Sequence, residues 1–387
     1  MSFIPYSCQN ITDDDIAAVN AVLRSEYLTQ GPAVPAFEQA FAERHQTRHA
    51  VAVSNATAGL HIACLALGAG PGKRVWTSPN SFLASANCAL YCGATVDFVD
   101  IDPRTRNLSV TELARKLERA KATNTLPAIV IPVDFAGLPC ELRELRELAD
   151  AYGFRILEDA SHATGASYQH RPVGSAWADA TVFSFHAVKI VTTAEGGMVT
   201  SNDDELARQL RRLRSHGMVR EASELHAPPE GPWVYEQQAL GFNYRMTDVQ
   251  AALGLSQLGR LDALHAQRVA LADRYDDLLD GLALIRPIRL ADRESAWHLY
   301  AIEIDTARTQ RTRAEVFQAM RAAQIGVSVH YIPIHTQPYY ADLGFRRGDF
   351  PAAEAYYARA LSLPLFPALT EGQQDSVAAA LKQALQV

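Results

Sequence analysis

Short apolar runs alternate with amphipathic segments between about residue 50 and residue 200. The runs are Ala50–Val53, Arg74–Thr77, Thr95–Val99, Ala128–Ile131, Arg155–Leu157, Ala180–Phe183 and Gly197–Thr200. They are short and lack the polar–apolar alternation of a half-wet strand, so they suit strands buried on both faces. That pattern predicts a largely parallel sheet flanked by helices. Between the runs, Leu142, Leu145, Leu148, Ala149 and Tyr152 recur at helical spacing and form one apolar stripe. In α/β architecture of this kind, ligands collect at the carboxyl ends of the strands.

The pattern changes near residue 247. Thr247-Asp-Val-Gln250 reads as a capping box, the threonine accepting from the N3 amide and the glutamine reaching back. Behind it Leu255, Leu258, Leu261, Leu264, Ala272, Tyr275 and Leu279 continue a single long helical pattern. A helix of that length links domains, which divides the chain into a large domain over residues 1–246 and a smaller α+β domain over 247–387. Within the smaller part, 297–304 and 325–331 are predicted strands around a helix from 313 to 323, and a last helix runs from 370 to 385. A chain of 387 residues is too long for one ordinary core, which agrees with this division.

Composition narrows the function classes. Hydrophobic residues make up 48% and charged residues 20%, normal for a soluble globular protein. A net charge of -7 and the lack of a dense basic stripe argue against nucleic acid; Arg211-Arg-Leu-Arg214 reads as the solvated face of a helix. Met1–Ser7 has no basic region followed by an apolar run, and no apolar stretch approaches the ~20 residues of a membrane span. A cytoplasmic protein is expected. The five cysteines (Cys8, Cys64, Cys88, Cys92 and Cys140) are scattered. Cys88 and Cys92 lie one helical turn apart, but no second pair supports a metal, so they read as buried thiols.

Two residues carry the chemistry. Lys189 stands in an apolar strand running into a glycine-ended turn, Val182 to Gly197, and Asp159 ends the strand Arg155–Asp159. A lysine and an aspartate on adjacent strand ends are what pyridoxal phosphate (PLP) requires: an amine for a Schiff base, and a carboxylate to keep the pyridine nitrogen protonated. Partial desolvation by its apolar neighbours would depress the pKa of Lys189 and leave a neutral amine. Ser54-Asn-Ala-Thr-Ala-Gly59 follows a strand and opens a helix, where backbone N–H groups and the helix dipole favour an anion. A structural N-cap would look the same, but beside Asp159 and Lys189 a cofactor phosphate is the better explanation. Gly68–Arg74 is one residue short of a phosphate loop and reads as a tight turn. His186 reads as an ordinary strand-end polar residue.

Taken together, Leu28-Thr-Gln-Gly31, Ser54-Asn-Ala-Thr57, Pro79-Asn-Ser-Phe82, Glu158-Asp-Ala-Ser-His162, Ser184-Phe-His-Ala-Val-Lys189, Glu195-Gly-Gly197, Ser215-His-Gly217 and Asn243-Tyr-Arg245 resemble the DegT/DnrJ/EryC1/StrS nucleotide-sugar aminotransferases over essentially the whole chain. The resemblance implies the type I aspartate-aminotransferase fold and a homodimer whose active sites are built from both subunits. It implies that Lys189 carries PLP and that Asp159 pairs with the pyridine nitrogen. Phe82 would stack on the ring, and His162 would lie near its phenolic oxygen. Ala56, Thr57 and Ser184 would hold the phosphate, joined by Asn243 from the neighbouring chain. Substrate contacts would come from Tyr6, Glu26, Tyr27, Leu28, Thr29, Asn55, Ser184, Asn243, Val329, His330, Tyr331 and Ile332, with no metal. Within the family the likeness is strongest to the branch that uses glutamate to aminate C4 of a UDP-4-keto-6-deoxy-N-acetylhexosamine for pseudaminic acid; Glu26-Tyr27 and Asn55 depart from that branch. Other expectations are a different 4-keto sugar nucleotide or, in another class, a protein that binds PLP and sugar nucleotide without turnover. Some relatives replace the lysine by histidine and become dehydratases, and Lys189 argues against that branch.

Overall fold

The computed structural model describes residues 3 to 386, so Met1, Ser2 and Val387, where the two expected domain ranges begin and end, lie outside it. Seven of the short apolar runs form one sheet. Its spatial order is His49–Val53, Gly197–Ser201, Ala180–Ser184, Arg155–Asp159, Ile129–Ile131, Arg74–Thr77 and Thr95–Phe98. From Ala180–Ser184 outward to Thr95–Phe98 every neighbouring pair is parallel. Alternate side chains pack against opposite layers, which is why these strands show no polar face. Val51, Val53, Val182 and Val199 face one core with Leu60 and Ile62 of the helix Ala56–Ala66. Ala50, Ala52, Phe183 and Met198 face the other, with Phe37 and Phe41 of the helix Ala33–Arg44.

The sheet is largely parallel, as expected, with one exception. Gly197–Ser201 runs antiparallel to both neighbours, His49–Val53 and Ala180–Ser184. The chain returns from Ser184 to Gly197 without a helix. A parallel pair needs a crossover over the sheet face, so a return of this kind doubles the chain straight back. That return carries Lys189.

The capping box at Thr247 is present and opens the helix Asp248–Leu258. The single long helix expected behind it is two helices, Asp248–Leu258 and Leu261–Leu278, interrupted at Gly259 and Arg260. Glycine gives the weakest propagation of any residue but proline. At the break Arg260 leaves the helical direction and bonds Asn10 and Asp15.

Beyond the break lies a second core around the antiparallel strands Leu284–Ile285, Tyr300–Ile304 and Ala360–Leu363. The helices Arg313–Ala322 and Glu371–Leu385 cover it through Val316, Met320, Val377 and Leu381. The expected strand at 325–331 makes only isolated bridges, Ile325 to Ile4 and Ser328 to Ser362. The strand it borders, Ala360–Leu363, was not expected from sequence, because its four residues follow directly on the helix Pro351–Arg359. We propose the division at residue 246 as the start of the linking segment: Ala251, Leu258, Leu261 and Leu264 beyond it still pack in the large core, and Ile4 before it packs in the second. Across the boundary Glu303 accepts from Arg106 Nε and Nη2 at 3.1 and 2.7 Å, and on its own side from Arg359 Nη2 at 2.7 Å. Cys64, Cys88, Cys92 and Cys140 are buried thiols. Arg214, expected on a solvated face, instead reaches inward to Glu38 and the carbonyl of Ala52.

Candidate active site

The turn between the antiparallel strands is held by its own backbone. Phe185 N–H donates to Gly196 O, Thr193 N–H to Phe185 O, and Lys189 N–H to His186 O, each at 2.9 Å. Ile190 and Val191 are buried in the core beneath the turn. Lys189 itself lines a cavity of about 690 Å³ above the sheet edge. Asp159, at the end of the adjacent parallel strand, lines the same cavity. Burial lowers the Lys189 amine to about 7 and outweighs the carboxylate of Asp159, which pulls it back upward.

Asp159 is held on both oxygens. Ser85 Oγ donates to Oδ2 at 2.6 Å, while Ser161 donates to Oδ1 through its hydroxyl at 2.5 Å and its amide at 3.1 Å. Next to it, Ala136 N–H donates to His162 Nδ1 at 3.2 Å. The proton of this ring is therefore on Nε2, which lies 3.1 Å from the Tyr331 hydroxyl. Burial, and then the nearby Lys189 amine, holds His162 well below the usual histidine value and lowers His330 to about 4. Burial holds the Tyr331 phenol above its usual value. The His162, His330 and Tyr331 side chains of this wall are uncharged at neutral pH.

The opposite wall is the start of the helix Ala56–Ala66. Asn55 caps it by accepting from Ala58 N–H, which leaves the amides of Ala56 and Thr57 without intrahelical acceptors. The helix can sit this close because the strand beside it carries no side chain at Gly197. A Cβ there would stand 2.8 Å from Ala56 N and 2.9 Å from the Asn55 carbonyl carbon. Gly197 pairs with Ser184, so the Ser184 hydroxyl and the helix terminus flank one spot. Phe82 lines the cavity with 60% of its surface exposed, leaving an apolar ring face for a flat ligand. The donor set fits PLP: a neutral amine for its aldehyde, a carboxylate for its pyridinium, and amides and hydroxyls at a helix N-terminus for its phosphate.

Of the residues expected from sequence, Tyr6, Asn55, Ala56, Thr57, Phe82, Asp159, His162, Ser184, Lys189, His330 and Tyr331 meet in this cavity. Glu26, Tyr27, Leu28, Thr29, Asn243, Val329 and Ile332 do not line it. Glu26 to Thr29 and Asn243 are exposed on the surface, and Ile332 is 48% exposed. The segment at residue 28 is held at the surface because Leu28 O accepts from Asp248 N–H, whose carboxylate in turn takes the amides of Gly31 and Ala33. His186, read as an ordinary polar residue, lines the mouth with Glu195, its Nε2 4.0 Å from Glu195 Oε1. Sequence reasoning also missed Ser81, Ser85, Ser161 and His298. Ser81 and Ser85 stand four apart where a helix begins, a pattern that could have placed them together. His298 gave no such signal. It reaches the cavity because Gly137, at φ +101, lets the 296–299 segment pass against its backbone.

Amine, carboxylate, phosphate cradle and α/β scaffold define the class: a PLP-dependent aminotransferase of the aspartate-aminotransferase fold. The profile of the DegT/DnrJ/EryC1/StrS aminotransferase family matches residues 9–382, and the chain belongs to that family, whose members are PLP-dependent sugar aminotransferases. Spore coat polysaccharide biosynthesis protein SpsC of Bacillus subtilis (strain 168) is 41% identical over 383 residues, covering 98% of this chain and 96% of that one. Helicobacter pylori PseC, an aminotransferase involved in the biosynthesis of pseudoaminic acid, superposes with a TM-score of 0.90 at 31% identity, covering 99% of each chain. Spr1654 from Streptococcus pneumoniae, in its PLP form, superposes with a TM-score of 0.88 at 30% identity over 99% of this chain and 98% of that one. Among the described residues no helix is long and apolar enough to cross a membrane.

Proposed function

We propose that the chain transfers an amino group from glutamate to C4 of UDP-2-acetamido-2,6-dideoxy-beta-L-arabino-hex-4-ulose, giving UDP-4-amino-4,6-dideoxy-N-acetyl-beta-L-altrosamine, in the cytoplasm. The observation that carries amino transfer is the meeting of Lys189 and Asp159 in one cavity beside a helix start whose Ala56 and Thr57 amides have no intrahelical acceptor. The choice of sugar is supported by the likeness to PseC.

When bound, PLP supplies an aldehyde that exchanges amines and a ring that takes up the electron pair released as a C–H bond breaks. Lys189 would hold the cofactor between turnovers. Displaced by glutamate, its amine takes the proton from the donor's Cα; in the second half-reaction it returns a proton to C4 of the sugar. Asp159, fixed by Ser85 and Ser161, would serve the ring nitrogen. Ala56, Thr57 and Ser184 would hold the phosphate, Phe82 would offer its face to the ring, and neutral His162 would serve the phenolic oxygen. Tyr6, Asn55, His330 and Tyr331 form the part of the cavity left for the sugar. In the homodimer we propose, Glu26 to Thr29 and Asn243 complete the cavity of the partner subunit, in keeping with their exposure in one chain. Val329 and Ile332 border His330 and Tyr331 and would reach substrate once the second subunit closes the cavity.

A second reading is amination of a different 4-keto sugar nucleotide. It is favoured by the 41% identity to SpsC, which exceeds the 31% to PseC. Incubation with glutamate and a panel of 4-keto sugar nucleotides, followed by NMR of the product, decides between them. Amination of only another sugar would move the assignment. A PLP spectrum untouched by glutamate, with no product from any sugar, would overturn transfer and leave a binding protein.

A further inference from the structure

The wall behind Asp159 contains a hydrogen-bonded chain whose direction is set by counting protons. Ser85 has one hydroxyl hydrogen, and it is directed at Asp159 Oδ2, 2.6 Å away. Ser81 Oγ lies 2.6 Å from Ser85 Oγ. With the Ser85 hydrogen already engaged, that second bond requires Ser81 to donate and Ser85 to accept. The sequence of donors therefore runs Ser81 to Ser85 to Asp159. All three side chains are nearly buried, with 3%, 1% and 4% of their surface exposed, so the bonds are shielded from water and polarise one another. Ser81 lines the cavity, whereas Ser85 does not. At its cavity end the chain presents only oxygen lone pairs: those left on Asp159, and those of Ser81, whose hydrogen points away.

We propose that Ser85 is a positioning residue for Asp159, and that the Ser81–Ser85–Asp159 chain makes this cavity selective for a ring whose nitrogen carries a proton. The inference rests on Asp159 facing the cofactor nitrogen, as proposed above. A protonated ring nitrogen meets acceptors on this wall. An unprotonated one would set its lone pair against theirs, with the hydrogens of Ser81 and Ser85 both already engaged. Ser161 holds the other carboxylate oxygen, so Ser85 decides the tilt of the carboxylate plane and which lone pair reaches the ring.

The test compares binding of PLP with binding of its 1-deaza analogue, in which carbon replaces the ring nitrogen. Both carry the same aldehyde and phosphate, so the link to Lys189 and the phosphate cradle cancel in the comparison. Ser85→Ala is expected to weaken PLP about tenfold to a hundredfold, the range carried by a hydrogen bond to a charged group, and to leave the analogue within about twofold. Ser85→Thr, which keeps the hydroxyl, restores the PLP preference. With ring-labelled [15N]PLP, the nitrogen resonance of Ser85→Ala shifts towards the unprotonated position, and that of Ser85→Thr does not. Equal weakening of both ligands by Ser85→Ala, or no weakening of either, overturns the proposal and leaves Ser85 as packing. Wild-type protein that fails to bind PLP would remove the functional reading instead, and this inference with it.

Discussion

In the cofactor-free protein, lowering the pH through about 7 should silence Lys189. The perturbation is a titration from pH 5.5 to 9.5, and the expected midpoint follows from the setting of the amine. Burial moves its pKa from 10.5 to about 7 despite the opposing Asp159 carboxylate. At pH 7.4 an ordinary lysine is neutral roughly once in a thousand molecules, whereas Lys189 would be neutral in about seven of ten. The sign follows directly: the amine is free above the midpoint and protonated below it. Between the folded value of about 7 and the unfolded value of 10.5, only the unfolded chain holds the extra proton. Stability of the cofactor-free protein therefore rises with pH across that window, and Lys189→Met removes the slope. The assay is brief exposure to an amine-acylating reagent at each pH, with occupancy at Lys189 read by mass spectrometry against exposed Lys73 and Lys382. Asp159→Asn should move the midpoint further down, because the group that raises it is gone. Half-maximal labelling of Lys189 at pH 9 or above would refute the reasoning, since the amine would then be as hydrated as a surface lysine.

Three further outcomes are expected. Gly197→Ala drives a Cβ to 2.8 Å from Ala56 N and displaces the phosphate end of the helix; it should cost about 1–3 kcal/mol in urea unfolding and weaken PLP binding, and unchanged affinity would count against the cradle. Glu303→Ala leaves the nearly buried Arg106 guanidinium without its partner and should cost about 3–5 kcal/mol, with Glu303→Gln milder; equal unfolding midpoints for the three proteins would show that the pair does not join the two cores. Asp248→Ala frees the amides of Gly31, Ala33 and Val34; at about 1–3 kcal/mol for each buried donor that stays unpaired, limited proteolysis should open the chain near residue 30 before the remainder. Protection equal to wild type would mean that water replaces the carboxylate without loss.

The sequence alone determined whatever is written between near neighbours or repeated along an element. Strands buried on both faces read as unbroken apolar runs, so the runs beginning at Ala50, Arg74, Arg155 and Ala180 each correspond to a strand of the large sheet. The Thr247 capping box was legible because donor and acceptor lie three residues apart. Lys189 and Asp159 stood out because Asp159 ends a strand and Lys189 follows the end of its neighbour, and strand ends on one sheet edge must come together. Tertiary structure decided the rest. At the helix break Arg260 meets Asn10 and Asp15, some 245 residues away. The Ser85 bond to Asp159 spans 74 residues, and His298 enters only because Gly137 admits it. The depressed pKa of Lys189 is likewise a property of its burial in the folded chain. Local patterns are set by bonds within one turn or one strand; burial is created by segments far apart in the chain, and it converts an ordinary amine and carboxylate into a reactive pair.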